Sequence, residues 1–119
     1  MKANGPILLT GATGYIGGRL LHPLLATGRP LRLLARDPER LRPVLQAGPL
    51  SSGAVPEVEV VQGDAFDRES LSGALSGVDT AYYLVHSLQA DTGDLFEREL
   101  RAARNFADSV RAAGVRRLI

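Results

Sequence analysis

The sequence contains no cysteine. Disulfides and thiol chemistry are thereby excluded, and a reducing compartment is expected, with the cytoplasm as the default location. Lysine is almost as scarce: Lys2 stands alone, and the other thirteen cations are arginines. A phosphate-binding P-loop, whose lysine directly follows its glycines, is excluded. So is any chemistry that needs a lysine in mid-chain. Aromatic residues number six, three tyrosines and three phenylalanines, and 14 basic against 13 acidic residues leave a net charge of +1. No basic and aromatic surface for nucleic acid is expected from that balance. The longest apolar runs fall far short of the ~20 residues of a membrane span, and residues 1–5 lead into the first strand without a signal-peptide core. No membrane partner is expected. At 119 residues the chain suits a single domain that buries roughly two thirds of its unfolded surface without staples.

Glycine, by contrast, is abundant, and residues 6–18 organise the rest. Ile7, Leu8 and Leu9 form the short continuous apolar run of a strand buried on both faces of a parallel sheet. Gly11, Gly14 and Gly17 follow at once as Gly-x-x-Gly-x-x-Gly, and a helix opens at about Tyr15. In a dinucleotide site each glycine has its own task. Gly11 takes the backbone angles of a tight turn, Gly14 lets the main chain approach a pyrophosphate, and Gly17 permits close helix packing. The helix that follows aims free N–H groups and its positive dipole end at the phosphates. Glycines also gather in ordinary turns, so the triad counts only because a strand precedes it, an apolar helix follows, and a charged strand end comes roughly 20 residues later.

The wording Thr10-Gly-Ala-Thr-Gly-Tyr-Ile-Gly17 resembles the short-chain dehydrogenase/reductase superfamily, in its extended and atypical branches that include NmrA-like proteins. Leu33-Leu-Ala-Arg-Asp-Pro38, Gly63-Asp64, Gly77-Val-Asp79, Tyr83-Leu-Val-His-Ser87 and Gly114-Val-Arg-Arg-Leu-Ile119 extend the likeness along nearly the whole chain. The resemblance implies a nicotinamide dinucleotide held by Gly11, Thr13, Gly14, Tyr15, Ile16 and Gly17, with Asp64 and Ala65 against adenine and Leu84, Val85 and His86 at the end of strand four. It also implies that the catalytic serine and the Tyr-x-x-x-Lys pair lie beyond residue 119, so no catalytic residue is assigned within the chain. Asn105 matches an asparagine of the family's fourth helix, while Glu99 stands where a second asparagine is usual.

Strand two is expected at Leu31 to Ala35, ending in Arg36-Asp37-Pro38-Glu39-Arg40. Asp37 before Pro38 reads as a helix N-cap with proline at the first helical position. Arg36 falls where a strand-two end meets the adenine ribose; an acidic residue there binds the ribose hydroxyls, whereas arginine suits a 2′-phosphate. NADP is therefore favoured over NAD. A turn-rich stretch, 48–56, leads to strand three at about Val58 to Gln62. Asp64 reads equally as an adenine contact and as a turn residue bonding its own backbone. Asp67 is expected to cap helix three, which Gly77 closes. Strand four is read as Thr80 to Val85, with His86 either at the crevice or merely solvated. Helix four is expected from Asp91 or Asp94 to Ala113 with Phe96, Leu100, Ala103, Ala107 and Val110 on its apolar face. Val115 to Ile119 begins strand five.

These elements make an α/β fold, a doubly wound parallel sheet of Rossmann type with strand order 3-2-1-4-5. Residues 1–119 are expected to form an NAD(P)-binding domain truncated within or just after strand five, with self-association through that edge. The leading functional expectation is the cofactor-binding part of an NADP-dependent oxidoreductase or epimerase-like enzyme. The alternative is a non-catalytic, NmrA-like redox-sensing regulator that acts through a protein partner.

Overall fold

The computed structural model describes residues 5–45, 58–85 and 95–119. Its strands are β1 (Ile7–Thr10), β2 (Leu31–Ala35), β3 (Val58–Gln62), β4 (Thr80–Tyr82) and β5 (Arg117–Leu118). All are parallel, in the order β3-β2-β1-β4-β5, the order read from the sequence. Helix α1 (Tyr15–Leu25) follows β1, a 3-10 turn (Pro38–Leu41) and the short α2 (Arg42–Leu45) follow β2, α3 (Arg68–Leu75) follows β3, and α4 (Leu95–Ala113) precedes β5. The sheet is thus built outward in both directions from β1. At the carboxyl end of β1 the winding reverses, which is where such sheets open a crevice.

Alternation along the central strands divides the core in two. Ile7, Leu9, Leu31 and Leu33 pack with Leu21, Leu24, Leu25 and Leu41 on one face. Leu8, Leu34 and Ala81 pack with Leu71, Leu75, Phe106 and Val110 on the other. Each fully buried leucine is worth about 1.5–3 kcal/mol relative to an exposed one. Two uninterrupted apolar layers therefore fix the register of β1 against β2 and β4.

Helix ends follow local chemistry. The Asp37 side chain accepts from the Glu39 N–H at 3.2 Å with Pro38 next, which is the cap read from the sequence. Asp67 accepts from the N–H groups of Glu69 and Ser70 at 3.1 and 3.4 Å. Helix α1 admits Pro23 and ends at Leu25. There Thr27 and Gly28 bond back to the Leu24 and Leu25 carbonyls, tightening the last turn to 3-10 form. The stretch 48–56, His86 and the start of helix four at Asp91 or Asp94 lie outside the described residues.

Three expectations need correction. Strand β4 stops at Tyr82 rather than Val85, because the Thr10 hydroxyl takes the Leu84 N–H at 2.9 Å in place of a ladder carbonyl. Strand β5 starts at Arg117 rather than Val115, since the N–H of Val115 returns to the Val110 carbonyl at the end of α4. The buried stripe of α4 runs through Ala102, Phe106, Ser109 and Val110, whereas Phe96 is 74% exposed and Leu100 38%. Both stripes have helical spacing and share Val110. Phe106 decides between them, its ring centroid lying 4.7 Å from that of Tyr83, because one buried aromatic ring outweighs several alanines.

The amino end of the sheet is clamped by a buried carboxylate. Asp79 Oδ2 accepts from Arg29 Nη2 at 3.0 Å and from the Thr80 hydroxyl at 2.9 Å, and Oδ1 accepts from Arg116 Nη1 at 3.2 Å. The Thr80 hydrogen bond, then the hydrogen bond and charge of Arg29 and the charge of Arg116, hold its pKa below the ordinary 3.8 against desolvation. A carboxylate with a depressed folded-state pKa stabilises the fold above its unfolded pKa, and that contribution is lost as pH falls through the folded value. Asp79→Asn is thus expected to melt several degrees lower at about pH 7, the gap closing below about pH 4. Thermal melts across that range check it; a gap independent of pH would assign the loss to packing alone.

Candidate functional site

A cavity of about 650 Å³ opens at the carboxyl ends of the strands, between the β1–α1 turn and the first turns of α4. Its floor is the glycine turn. Gly11 has φ +73°, and a Cβ there meets the Leu84 carbonyl oxygen at 2.8 Å. Gly17 is buried, and a Cβ there falls 2.0 Å from the Gly11 oxygen. Gly14 differs: it is exposed, and its Cβ meets only the Gly11 oxygen at 3.3 Å. The triad therefore divides into two glycines the fold requires and one it does not.

Gly14 is also the N-cap of α1, with no side chain capping the helix and no carboxylate in its first turn. The positive end of the helix dipole is left for an outside anion. Thr13 lines the cavity beside Gly11 and Gly14. Tyr15 and Ile16 are exposed at 74% and 63% and do not line it; Arg19 stands over the Tyr15 ring, 4.5 Å from its centroid. Leu84 and Val85 supply the wall beyond β4.

Arg36, Asp37 and Arg40 form the wall beyond β2. Two exposed guanidinium groups against the one Asp37 carboxylate leave this wall net positive. Across from them stand Asp64 and Ala65. The Asp64 side chain accepts from the Phe66 N–H at 2.9 Å, the turn arrangement of the two read from the sequence. Its own N–H donates to the Ser70 hydroxyl at 3.0 Å.

Several residues have roles here that the sequence left unassigned. Thr10 is buried, donates to the Tyr82 carbonyl at 2.7 Å and accepts from the Leu84 N–H, stitching β1 to the chain beyond β4. Gly63 packs so closely that a Cβ meets Leu34 Cδ1 at 2.6 Å. Asn105 Nδ2 donates to the Ala65 carbonyl at 3.1 Å, and Arg68 Nε donates to Asn105 Oδ1 at 3.0 Å. Phe66 and Arg98 close the far end. Only partnerships across the fold reveal these roles, although Thr10 and Gly63 belong to the recognised motifs and Asn105 matches a family asparagine.

Acid–base chemistry is poorly provided. Of the tyrosines, Tyr83 packs on Phe106, and its buried hydroxyl has no partner among the described residues. Burial first, and the charge of Glu99 second, push its pKa above 10.0. No tyrosine or histidine is among the described residues lining the cavity. What the arrangement offers is an anion-receiving helix end, a cationic wall and a narrow apolar floor.

Residues 11–119 match the NAD(P)H-binding family. The chain is 44% identical over 113 residues to the (4-alkanoyl-5-oxo-2,5-dihydrofuran-3-yl)methyl phosphate reductase of Streptomyces griseus subsp. griseus, covering 95% of this chain and 33% of that protein. It is 35% identical over 115 residues to sterol demethylase protein B of Methylococcus capsulatus, covering 94% and 32%. The fold matches the crystal structure of a Citrobacter sp. triphenylmethane reductase complexed with NADP(H), with a TM-score of 0.72 at 24% identity over 95% of this chain and 35% of that one. The chain spans about a third of the length of the curated relatives it matches.

Proposed function

The chain belongs to the NAD(P)H-binding family, of short-chain dehydrogenase/reductase type, and from that premise we propose that it is the NADP-binding domain of an oxidoreductase. One observation carries the reading: the uncapped start of α1 at Gly14 faces a cavity walled by Arg36 and Arg40. The backbone from Gly11 to Gly14, with Thr13, receives the pyrophosphate at the helix end. Tyr15 and Ile16 border the same approach, and Gly17 lets the helix start lie that close. Arg36 pairs with the 2′-phosphate through charge-assisted hydrogen bonds. Asp64 and Ala65 border the adenine, while Leu84 and Val85 border the nicotinamide half.

The dinucleotide supplies the hydride chemistry; these residues bind it, orient it and exclude water. No tyrosine, histidine or lysine is among the described residues lining the cavity, and the chain spans about a third of the relatives' length, so the proton donor is assigned to a further part of a longer protein. The relative that shares 44% identity is named a reductase, which favours an oxidoreductase over a regulator that senses the dinucleotide without turning it over.

Calorimetry with NADPH and NADH tests the proposal. Arg36→Ala is expected to weaken NADPH binding roughly 10- to 100-fold, the worth of one charge-assisted contact, and to leave NADH within about twofold. Equal losses for both would remove Arg36 from the phosphate. The outer edge of β5, with Leu118 45% exposed, is proposed as a self-association edge, since unpaired strand edges template pairing. Light scattering that finds only monomer at high concentration would reject it.

A further inference from the structure

The far end of the cavity is closed by a pair that spans two elements. Phe66 follows β3, Arg98 stands near the start of α4, and both line the cavity. The guanidinium carbon of Arg98 lies 5.7 Å from the centroid of the Phe66 ring, within cation–π range. Phe66 remains 40% exposed, so apolar ring surface is left for a further contact. The loop that bears it is fixed. Its N–H is held by Asp64, and the preceding carbonyl is held by Asn105, itself held by Arg68. A flat apolar ring, backed by a delocalised cation and presented on a fixed loop, suits a purine. Base–aromatic stacking needs only the two π-faces and is tolerant of base identity.

We infer that Phe66, backed by Arg98, is the stacking platform for the purine base of the dinucleotide. The inference rests on the reading of this cavity as the dinucleotide site, and it assigns the base to a wall separate from Arg36. Asp64 then acts on the base through Phe66: its carboxylate positions the ring.

The chain has no tryptophan, so Phe66→Trp installs a single reporter in the platform. Phe66→Ala is expected to lower affinity for NADPH and NADH alike by about tenfold, in contrast to Arg36→Ala, with the melting temperature held. Phe66→Trp is expected to retain parental affinity and to lose indole emission on titration with ADP-ribose, a probe without nicotinamide. Should the alanine variant fold poorly, the tryptophan variant carries the test alone. Affinities within twofold in Phe66→Ala, a loss confined to NADPH, or indole emission unmoved at saturating ADP-ribose would each overturn the platform. A parental chain that binds neither dinucleotide overturns the reading of the site itself, an outcome distinct from binding that ignores Phe66.

Discussion

Gly14→Val is expected to reduce NADPH affinity by at least about 100-fold, the loss of two or more charge-assisted contacts to backbone N–H groups, while the fold persists. Position 14 has φ −85° and ψ 177°, extended backbone open to any L residue. A Cβ there meets only the Gly11 oxygen at 3.3 Å, which a few tenths of an ångström relieves. Valine is a poor N-cap, so a cost of about 1 kcal/mol is expected, or about 5 °C in Tm. Its isopropyl group, however, projects in front of the first N–H groups of α1, where a pyrophosphate must approach. Calorimetric titration beside a thermal melt separates the two effects. NADPH affinity within tenfold of the parent would place the pyrophosphate elsewhere.

Gly17→Ala, a far smaller change three residues on, is expected to abolish cooperative folding. The added methyl falls 2.0 Å from the Gly11 oxygen, 2.6 Å from its carbonyl carbon and 3.1 Å from Ala12 Cα. All three are backbone atoms, so no rotamer change relieves the clash. Either α1 withdraws from the turn, opening the layer formed by Leu21, Leu24 and Leu25, or the Gly11 peptide leaves the tight turn that its φ of +73° makes. A loss above about 4 kcal/mol is expected, comparable to the whole stability of a small domain. Circular dichroism and urea unfolding decide it, and a variant that melts within a few degrees of the parent would show that the helix start yields.

The pair explains why some of the site was legible in the sequence and some was not. Strand order, the glycine turn and the Asp37 and Asp67 caps depend on short-range rules: period-two burial, φ preferences and side chains bonding backbone two or three residues on. Those rules operate within a window of adjacent residues. The stripe of α4 was misread because two apolar faces differ by less than a turn, and the choice between them is made by Tyr83, a distant partner in sequence. The roles of Thr10 and Phe66, and the partner of Asn105, escaped for the same reason. Their partners lie 72, 40 and, for Phe66 with Arg98, 32 residues away, and no local pattern marks them. Asp64 was legible as a turn residue because its bond reaches only to Phe66.

The Thr10 hydroxyl also bears on how tightly anything can be held in the crevice. Strands β1 and β4 part company there, and a chain leaving a sheet at such a point ordinarily gains freedom that a guest must then take away. One hydroxyl, donating to Tyr82 and accepting from Leu84, fixes the departing backbone in the place where it abuts Gly11. The floor is preorganised, so association need not spend interaction energy on ordering it.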